Sequence, residues 1–310
     1  TKEELKRQIP RDIVSGIVVA VVALPLSIAL AIASGVGPEQ GLYTAIVAGF
    51  IIALMGGSAV QISGPTAAFA TIVAGIVATD GMSGLVAATI IAGVLLIVMG
   101  VMRLGTLIRF VPHTITTGFT AGIAVTIVIG QLKDFMGLTY PTGTAPIESM
   151  DKLACVVQNL GTLNVQALAV GLACLAVLVL WPRVTERVPA SLVAVLAGIA
   201  LVSGLNLNVN TIGDLYSIQG GVPRFVMPQL SLDLLRQQLP NGFTIAVLAA
   251  IESLLSCVVA DSMISSHHRA NMELVAQGTG NIASALFGGI PATGAIARTA
   301  ANIKSGGRTP

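Results

Sequence analysis

The sequence has 310 residues, of which 54% are hydrophobic and 10% charged, with a formal net charge of +2 and a mean hydropathy of +0.89. So few charges cannot solvate so much apolar sequence, which excludes a soluble globular domain and defines a polytopic membrane protein. The apolar runs are too long and too continuous for a β-barrel, and the scattered Cys155, Cys174 and Cys257, without a CxxC or Cys/His cluster, argue against a disulfide framework or a zinc site.

Lys2, Lys6, Arg7 and Arg11 form a basic amphipathic lead-in that should lie at the cytoplasmic surface. Thr1 to Asp12 is charged and the next apolar run is span-length, so no cleavable signal peptide is expected. The first span is predicted at about Ile13 to Ala33 and contains Pro25; the second at about Gly41 to Met55. Gly56-Gly57-Ser58 breaks the helix, Ala59 to Ile62 alternates like a short strand, and helix resumes at Thr66 and ends near Thr79. A fourth span covers Leu85 to Met102 and a fifth runs from Pro112 to Leu132. Phe135 to Asn164 is a polar connection with Pro141 and Pro146. Spans six and seven are about Val165 to Trp181 and Pro189 to Leu205. Asn206 to Gln238 reads as an irregular connection. Span eight is Phe243 to Met263, and span nine, near Glu273 to Leu286, is short and polar for a helix in lipid. Gly289-Ile290-Pro291-Ala292-Thr293-Gly294 then interrupts the apolar sequence ahead of a small-residue helix carrying Arg298.

The charges test this count. With the N-terminus inside and each segment taken as one crossing, Arg103, Arg109, Arg183, Arg187, Arg269, Lys304 and Arg308 fall inside with the N-terminal four. Lys133, Lys152, Arg224 and Arg236 fall outside, and Arg298 is left at membrane depth. That asymmetry satisfies the positive-inside rule.

Ser63-Gly64-Pro65-Thr66-Ala67 and the stretch around Pro291 form a pair of Gly/Pro-interrupted segments in two halves of a membrane chain, the sequence signature of a transporter's binding site. Non-helical backbone at that depth must lie inside protein or along a cavity. The third segment rises to the outer side and the tenth descends to the inner side, so both helix N-termini should meet near the midplane. Each carries unsatisfied N–H groups and roughly half a positive charge, which makes an anion site from backbone alone.

Pro25 followed by Ala29, then Gly35, Pro38, Gly41-Leu42-Tyr43, Gly57-Ser58 and Ser63 to Ala67, resemble the signature of the sulfate permease (SulP) family, which includes pendrin and prestin. Gly118-Phe119-Thr120 with Gln131-Leu132-Lys133, Glu252-Ser253, and the run Asn271, Glu273, Gln277-Gly278, Gly280-Asn281 match as well. Across Ala292 to Asn302 the similarity is strongest to the bacterial proton-coupled dicarboxylate branch. The resemblance implies an all-α membrane fold of seven segments repeated upside-down, with two half-helices preceded by short strands. It implies a core domain (1–102 and 241–310), a gate domain (103–240), and an elevator or rocking motion between them. About ten segments are present; the rest of the second repeat and a cytoplasmic STAS domain are expected in a longer protein.

The site residues follow from the two halves together. Thr66 and Ala67, and, by the family motif, Ile296 and Ala297, are expected to offer backbone N–H donors to an anion; the alternative is two ordinary helix starts. Arg298 adds positive potential beneath the substrate or forms a structural ion pair with Glu252. Unpaired burial would cost it at least about 3 kcal/mol. Glu252, mid-span, is either a proton-coupling carboxylate or a permanent counter-charge. Leu26 and Leu30 match positions that contact substrate in relatives, and core packing explains them equally well. Asp261, His113, His267 and His268 read as interfacial, and Gly75, Gly93, Gly118 and Gly122 as packing positions.

The sequence thus points to secondary active transport of a small anion (sulfate, bicarbonate or a C4-dicarboxylate), coupled to protons or sodium. The setting is a bacterial inner membrane, with a cytoplasmic N-terminus and a homodimeric assembly. The alternatives are a nucleobase–cation symporter of the same architecture, a passive anion channel, or a scaffold that sequesters a partner. Neither an enzyme, a cofactor, a metal site nor nucleic-acid binding is expected, since no nucleophile–base pair, P-loop, ligand spacing or basic-aromatic patch is evident.

Overall fold

The chain opens with helix α1 (Lys2–Ala33), continuous through Pro10 and Pro25. The basic lead-in is therefore continuous with the first membrane helix, whose apolar stretch begins at Gln8. The computed structural model describes residues 2–106, 113–144, 146–185, 188, 190–216 and 221–309. Helix α2 (Pro38–Met55) starts with Pro38 after the extended Gly37, where a missing N–H costs nothing, and stops at Gly56. A two-residue strand β1 (Ser63–Gly64), a 3-10 turn (Ala67–Phe69) and α3 (Ala70–Val101) follow. Helix α3 is two helices joined at Gly81, whose φ of 66° and ψ of −165° only glycine adopts without strain. The predicted third and fourth segments are these two pieces. The predicted strand over Ala59 to Ile62 is displaced: the ladder forms at Ser63–Gly64, because side chains have taken the Val60 carbonyl and the Ile62 N–H.

Next come α4 (His113–Phe135), α5 (Ser149–Gln158), α6 (Val165–Val184), α7 (Ala190–Gly204) and the single turn α8 (Ile212–Leu215). Helix α9 (Leu232–Ile264) begins earlier than predicted. Ser231 caps it, its hydroxyl accepting from the Leu234 amide at 3.1 Å, and Pro240 lies inside it. The residues ahead of it are held by a Val226 N–H to Leu286 carbonyl bond of 2.9 Å and an edge-to-face contact of Phe225 with Phe287. The chain ends with α10 (Ala270–Leu286), β2 (Thr293–Gly294) and α11 (Ile296–Lys304). Among the described residues five helical stretches are long and apolar enough to cross a membrane.

The chain divides into two units, Thr1–Thr117 with Gln219–Pro310, and Gly118–Ile218. In the first, α10 lies between α3 and α2. Gly93 and Gly278 meet backbone to backbone: a Cβ on Gly278 would fall 2.4 Å from the Gly93 carbonyl oxygen, and one on Gly280 2.5 Å from Ile52 of α2. Glycine-mediated close approach is how membrane helices gain packing energy when no hydrophobic drive exists between them. Phe69, Val73, Leu85, Leu96, Ile245, Leu254, Leu274 and Ile290 fill the core between α3, α9 and α10. Among the described residues a Cβ on Gly75, Gly118 or Gly122 would meet nothing within 4 Å, so these three do not mediate close approach within this chain. In the second unit α6 packs on α7, and the Asn164 side chain caps α6 by accepting from the amides of Gln166 and Ala167 at 3.0 and 3.2 Å.

Candidate functional site

Two segments of the first unit are non-helical within its core, from Gly56 to Thr66 and from Phe287 to Ala295. Each backbone group there needs a partner, because no water is available in hydrocarbon. The partners are side chains of small polar residues. On the second arm, Ile290 donates its N–H to Thr44 Oγ1 at 2.7 Å, and its carbonyl accepts from Ser284 Oγ at 2.8 Å. Asn281 clamps Ala292 as a neighbouring strand would: its Oδ1 accepts from the Ala292 amide and its Nδ2 donates to the Ala292 carbonyl, both at 2.8 Å. Thr293 Oγ1 reaches the Ala249 carbonyl at 3.1 Å, and Ser253 Oγ accepts from the Gly294 amide at 3.2 Å.

On the first arm, a buried carboxylate does the equivalent work. Glu273 is 1% exposed. Its Oε2 accepts from the Gly57 amide at 2.8 Å, and its Oε1 from Gln61 Nε2 at 2.9 Å and Gln277 Nε2 at 2.8 Å. Gln277 also reaches Ser63 Oγ at 2.9 Å, and Cys257 donates its thiol to Gln61 Oε1. Ile62 donates to Thr299 Oγ1 at 3.0 Å, and Asn302 Nδ2 donates to the Val60 carbonyl at 2.9 Å.

The arms join as an antiparallel pair, Ser63 opposite Gly294 and Gly64 opposite Thr293, extended by an Ala295 N–H to Ile62 carbonyl bond of 2.9 Å. Since the strands are antiparallel and each runs into its own helix, the two helices leave the junction in opposite directions with their N-termini at it. Neither end is capped by a side chain: the N-cap residues are Thr66 and Ala295. The leading N–H groups of both helices are thus left for something other than the helix itself.

Arg298 sits in the first turn of α11, 3% exposed. Its Nη2 donates to the Pro65 carbonyl of the opposite arm at 2.6 Å, while Nε and Nη1 have no hydrogen-bond partner. No ion pair within 4 Å joins it to Glu252 among the described residues, so the direct-pair alternative is not realised. Glu252, half-buried on α9, instead accepts from Thr66 Oγ1 at 3.0 Å. The junction therefore brings together Thr66, Ala67, Ile296, Arg298 and Glu252, with Ala297 exposed beside Arg298. Leu26 is 38% exposed and Leu30 half-buried, one turn apart on α1.

Asp261 and His268 are not at the junction. His268 Nδ1 lies 2.7 Å from Asp261 Oδ2, on the rim of a cavity of about 270 Å³ shared with His267, Arg269 and the Gly56–Gly57 turn. The His113 side chain lies outside the described residues.

Reasoning from the sequence missed Thr44, Gln61, Glu273, Gln277, Asn281, Ser284, Thr299 and Asn302 as supports. The signal was there in α10. Glu273, Gln277, Asn281 and Ser284 recur at helical spacing and form one buried polar stripe, the inverse of a lipid-facing surface.

Unsatisfied guanidinium donors thus lie beside two uncapped helix starts, on broken helices of a multi-pass membrane fold, which is the architecture of the inverted-repeat transporter folds. The sulfate permease family model matches residues 9–310, and the chain belongs to that family. YvdB of Bacillus subtilis is 44% identical over 283 residues, covering 89% of this chain and 52% of that protein. The bicarbonate transporter BicA of Synechocystis sp. is 36% identical over 285 residues, covering 88% and 49%. The chain spans about half the length of these curated relatives. The solved transmembrane domain of a cyanobacterial BicA superposes with a TM-score of 0.85 at 33% identity, over 98% of this chain and 78% of that one. The structure of SLC26A9 shares the fold at a TM-score of 0.82 and 20% identity, over 98% and 52%.

Proposed function

We propose that this chain carries the anion-binding half of a secondary transporter for a small anion, with sulfate, bicarbonate and C4-dicarboxylates as the candidate substrates. The observation that supports it most directly is Arg298. A buried guanidinium with two unpartnered nitrogens, Nε and Nη1, is costly unless a ligand completes it. An anion at the junction would accept from Arg298 and from the leading amides of Thr66, Ala67, Ile296 and Ala297, with the helix dipoles adding to the attraction. Bicarbonate is the substrate named for one relative, BicA.

Glu252 is the coupling group in this reading. An ionised carboxylate beside an anion site opposes binding, and a protonated one does not. Proton and anion therefore bind together and move together. The unit Thr1–Thr117 with Gln219–Pro310 acts as the anion-carrying core, and Gly118–Ile218 belongs to the gate. The protein functions in a bacterial inner membrane with its N-terminus in the cytoplasm, as a homodimer.

Counterflow in proteoliposomes holding the full-length protein tests the proposal. Internal sulfate, bicarbonate or succinate should accelerate uptake of the same labelled anion. Uptake indifferent to internal substrate would mark a passive pore, and transport of a neutral nucleobase in place of all three anions would mark the symporter alternative.

A further inference from the structure

Thr66 holds the N-cap position of the turn that opens α3, and threonine is favoured there because its hydroxyl accepts from the helix's own N–H groups. Here it does not cap; it donates to Glu252 Oε2 at 3.0 Å. The next residue back, Pro65, supplies the carbonyl that holds Arg298. One hydroxyl therefore stands between the coupling carboxylate and the two sets of anion donors.

We infer that Thr66 is a proton-state relay, a positioning and specificity residue that passes the charge state of Glu252 to the anion. The inference rests on the reading of Glu252 as the coupling group. A hydroxyl has a single proton to donate, and an ionised carboxylate only accepts. While Glu252 is ionised, the Thr66 proton is committed to Oε2 and points away from the anion. When Oε2 takes a proton from solvent, the same oxygen pair reverses roles: Glu252 donates and Thr66 Oγ1 accepts. Rotation about the Cβ–Oγ bond then turns the Thr66 proton toward the uncapped helix start. One proton enters, onto Glu252, and Thr66 keeps its own. The anion loses a repelling charge and gains an O–H donor in the same event, and its departure reverses both.

The other charged groups around Glu252, Arg298 apart, are occupied or distant from this pair. Arg298 on α11 is anchored to Pro65 through Nη2 and adds an attraction for the ionised Glu252 short of an ion pair, which wild type and the Thr66 variants share. Glu273 on α10 is turned to Gly57, Gln61 and Gln277. On α9 itself Cys257 is bonded to Gln61 and Asp261 to His268. On α3, Asp80 is held by Gln237 and Gln238.

The test is equilibrium binding of radiolabelled sulfate and of fumarate to the full-length protein at mildly acid and mildly alkaline pH, read as the ratio of the two affinities. Wild type should bind more tightly in acid. Thr66→Val, which keeps the β-branched shape, should shrink that ratio roughly tenfold, the scale of one hydrogen bond to a charged group. Thr66→Ser should restore it. Glu252→Gln should flatten the pH dependence. If Glu252→Gln flattens the profile but Thr66→Val leaves the ratio intact, by weakening binding equally at both pH values or not at all, the relay is overturned and the coupling role stands. If Glu252→Gln leaves the pH dependence untouched, the coupling role falls, and the relay with it.

Discussion

Gly64 lies beneath the guanidinium of Arg298: a Cβ there would sit 2.7 Å from Nη1 and 3.3 Å from Nη2. The strand of one repeat is thus shaped around the side chain of the other. Gly64→Ala keeps the backbone conformation but displaces the flexible tip of Arg298 from the Pro65 carbonyl. Anion affinity should fall roughly tenfold or more, the scale of a misplaced charged hydrogen bond. The melting temperature should change little, because the tip can move away without backbone rearrangement. Binding titration and thermal unfolding of the same variant check the pair of outcomes; equal affinity in the two proteins would mean that Arg298 does not act from its observed position.

That relationship also marks what the sequence could and could not reveal. The break at Gly56–Gly57, the restart near Thr66, and the second break ahead of Arg298 were legible, because glycine and proline inside apolar runs have few other uses. The bend at Gly81 fell between two predicted segments for the same reason. The strand register was not legible. Ala59 to Ile62 has the alternation of a strand, but Asn302 and Thr299 of α11 take the Val60 carbonyl and the Ile62 N–H, pushing the ladder to Ser63–Gly64. That choice depends on residues more than two hundred positions away. The partner of Arg298 was equally hidden, because a proline carbonyl carries no side-chain signature.

The carboxylate of Glu273 is a structural acceptor, and this predicts behaviour opposite to that of Glu252. Its oxygens face donors on every side, the backbone amides of Gly57 and Ser58 and the side-chain amides of Gln61 and Gln277. Glu273→Gln would turn an NH₂ group against an N–H in either orientation, leaving donors unsatisfied in a dry interior. A loss of roughly 2–4 kcal/mol of stability should follow. The expected readouts are a lowered melting temperature and easier proteolysis at Gly56–Ser58, with any residual transport keeping the wild-type pH profile. A shifted pH profile in a stable Glu273→Gln protein would contradict the assignment.

Two glycines on α3 separate conformational need from spatial need. Gly75 and Gly81 both have open space where a Cβ would go, but only Gly81 has a positive φ. Gly81→Ala should cost about 1–3 kcal/mol, since alanine strains at that angle. Gly75→Ala should be neutral or stabilising by up to ~1 kcal/mol through lower unfolded-state entropy. Melting temperatures of the two variants should therefore move in opposite directions, or only the first should fall.

Arg298→Lys tests whether the site uses charge alone or charge with direction. Lysine preserves the positive charge at the same depth. It lacks the planar fork that lets Nη2 hold the Pro65 carbonyl while Nε and Nη1 remain directed elsewhere. A lysine ammonium can satisfy the carbonyl or meet the anion, and its shorter reach makes it unable to do both at once. If the guanidinium tethers the two arms and binds the anion together, Arg298→Lys should lose roughly as much affinity as Arg298→Met, on the order of tenfold or more. Thermal stability without ligand should change less, because the ammonium can then hold the Pro65 carbonyl. If positive potential alone matters, lysine should recover most of the affinity that methionine loses. Sulfate titrations of both variants alongside wild type, at low and high ionic strength, decide between the two: a buried directional contact is weakly screened, and a diffuse potential is strongly screened.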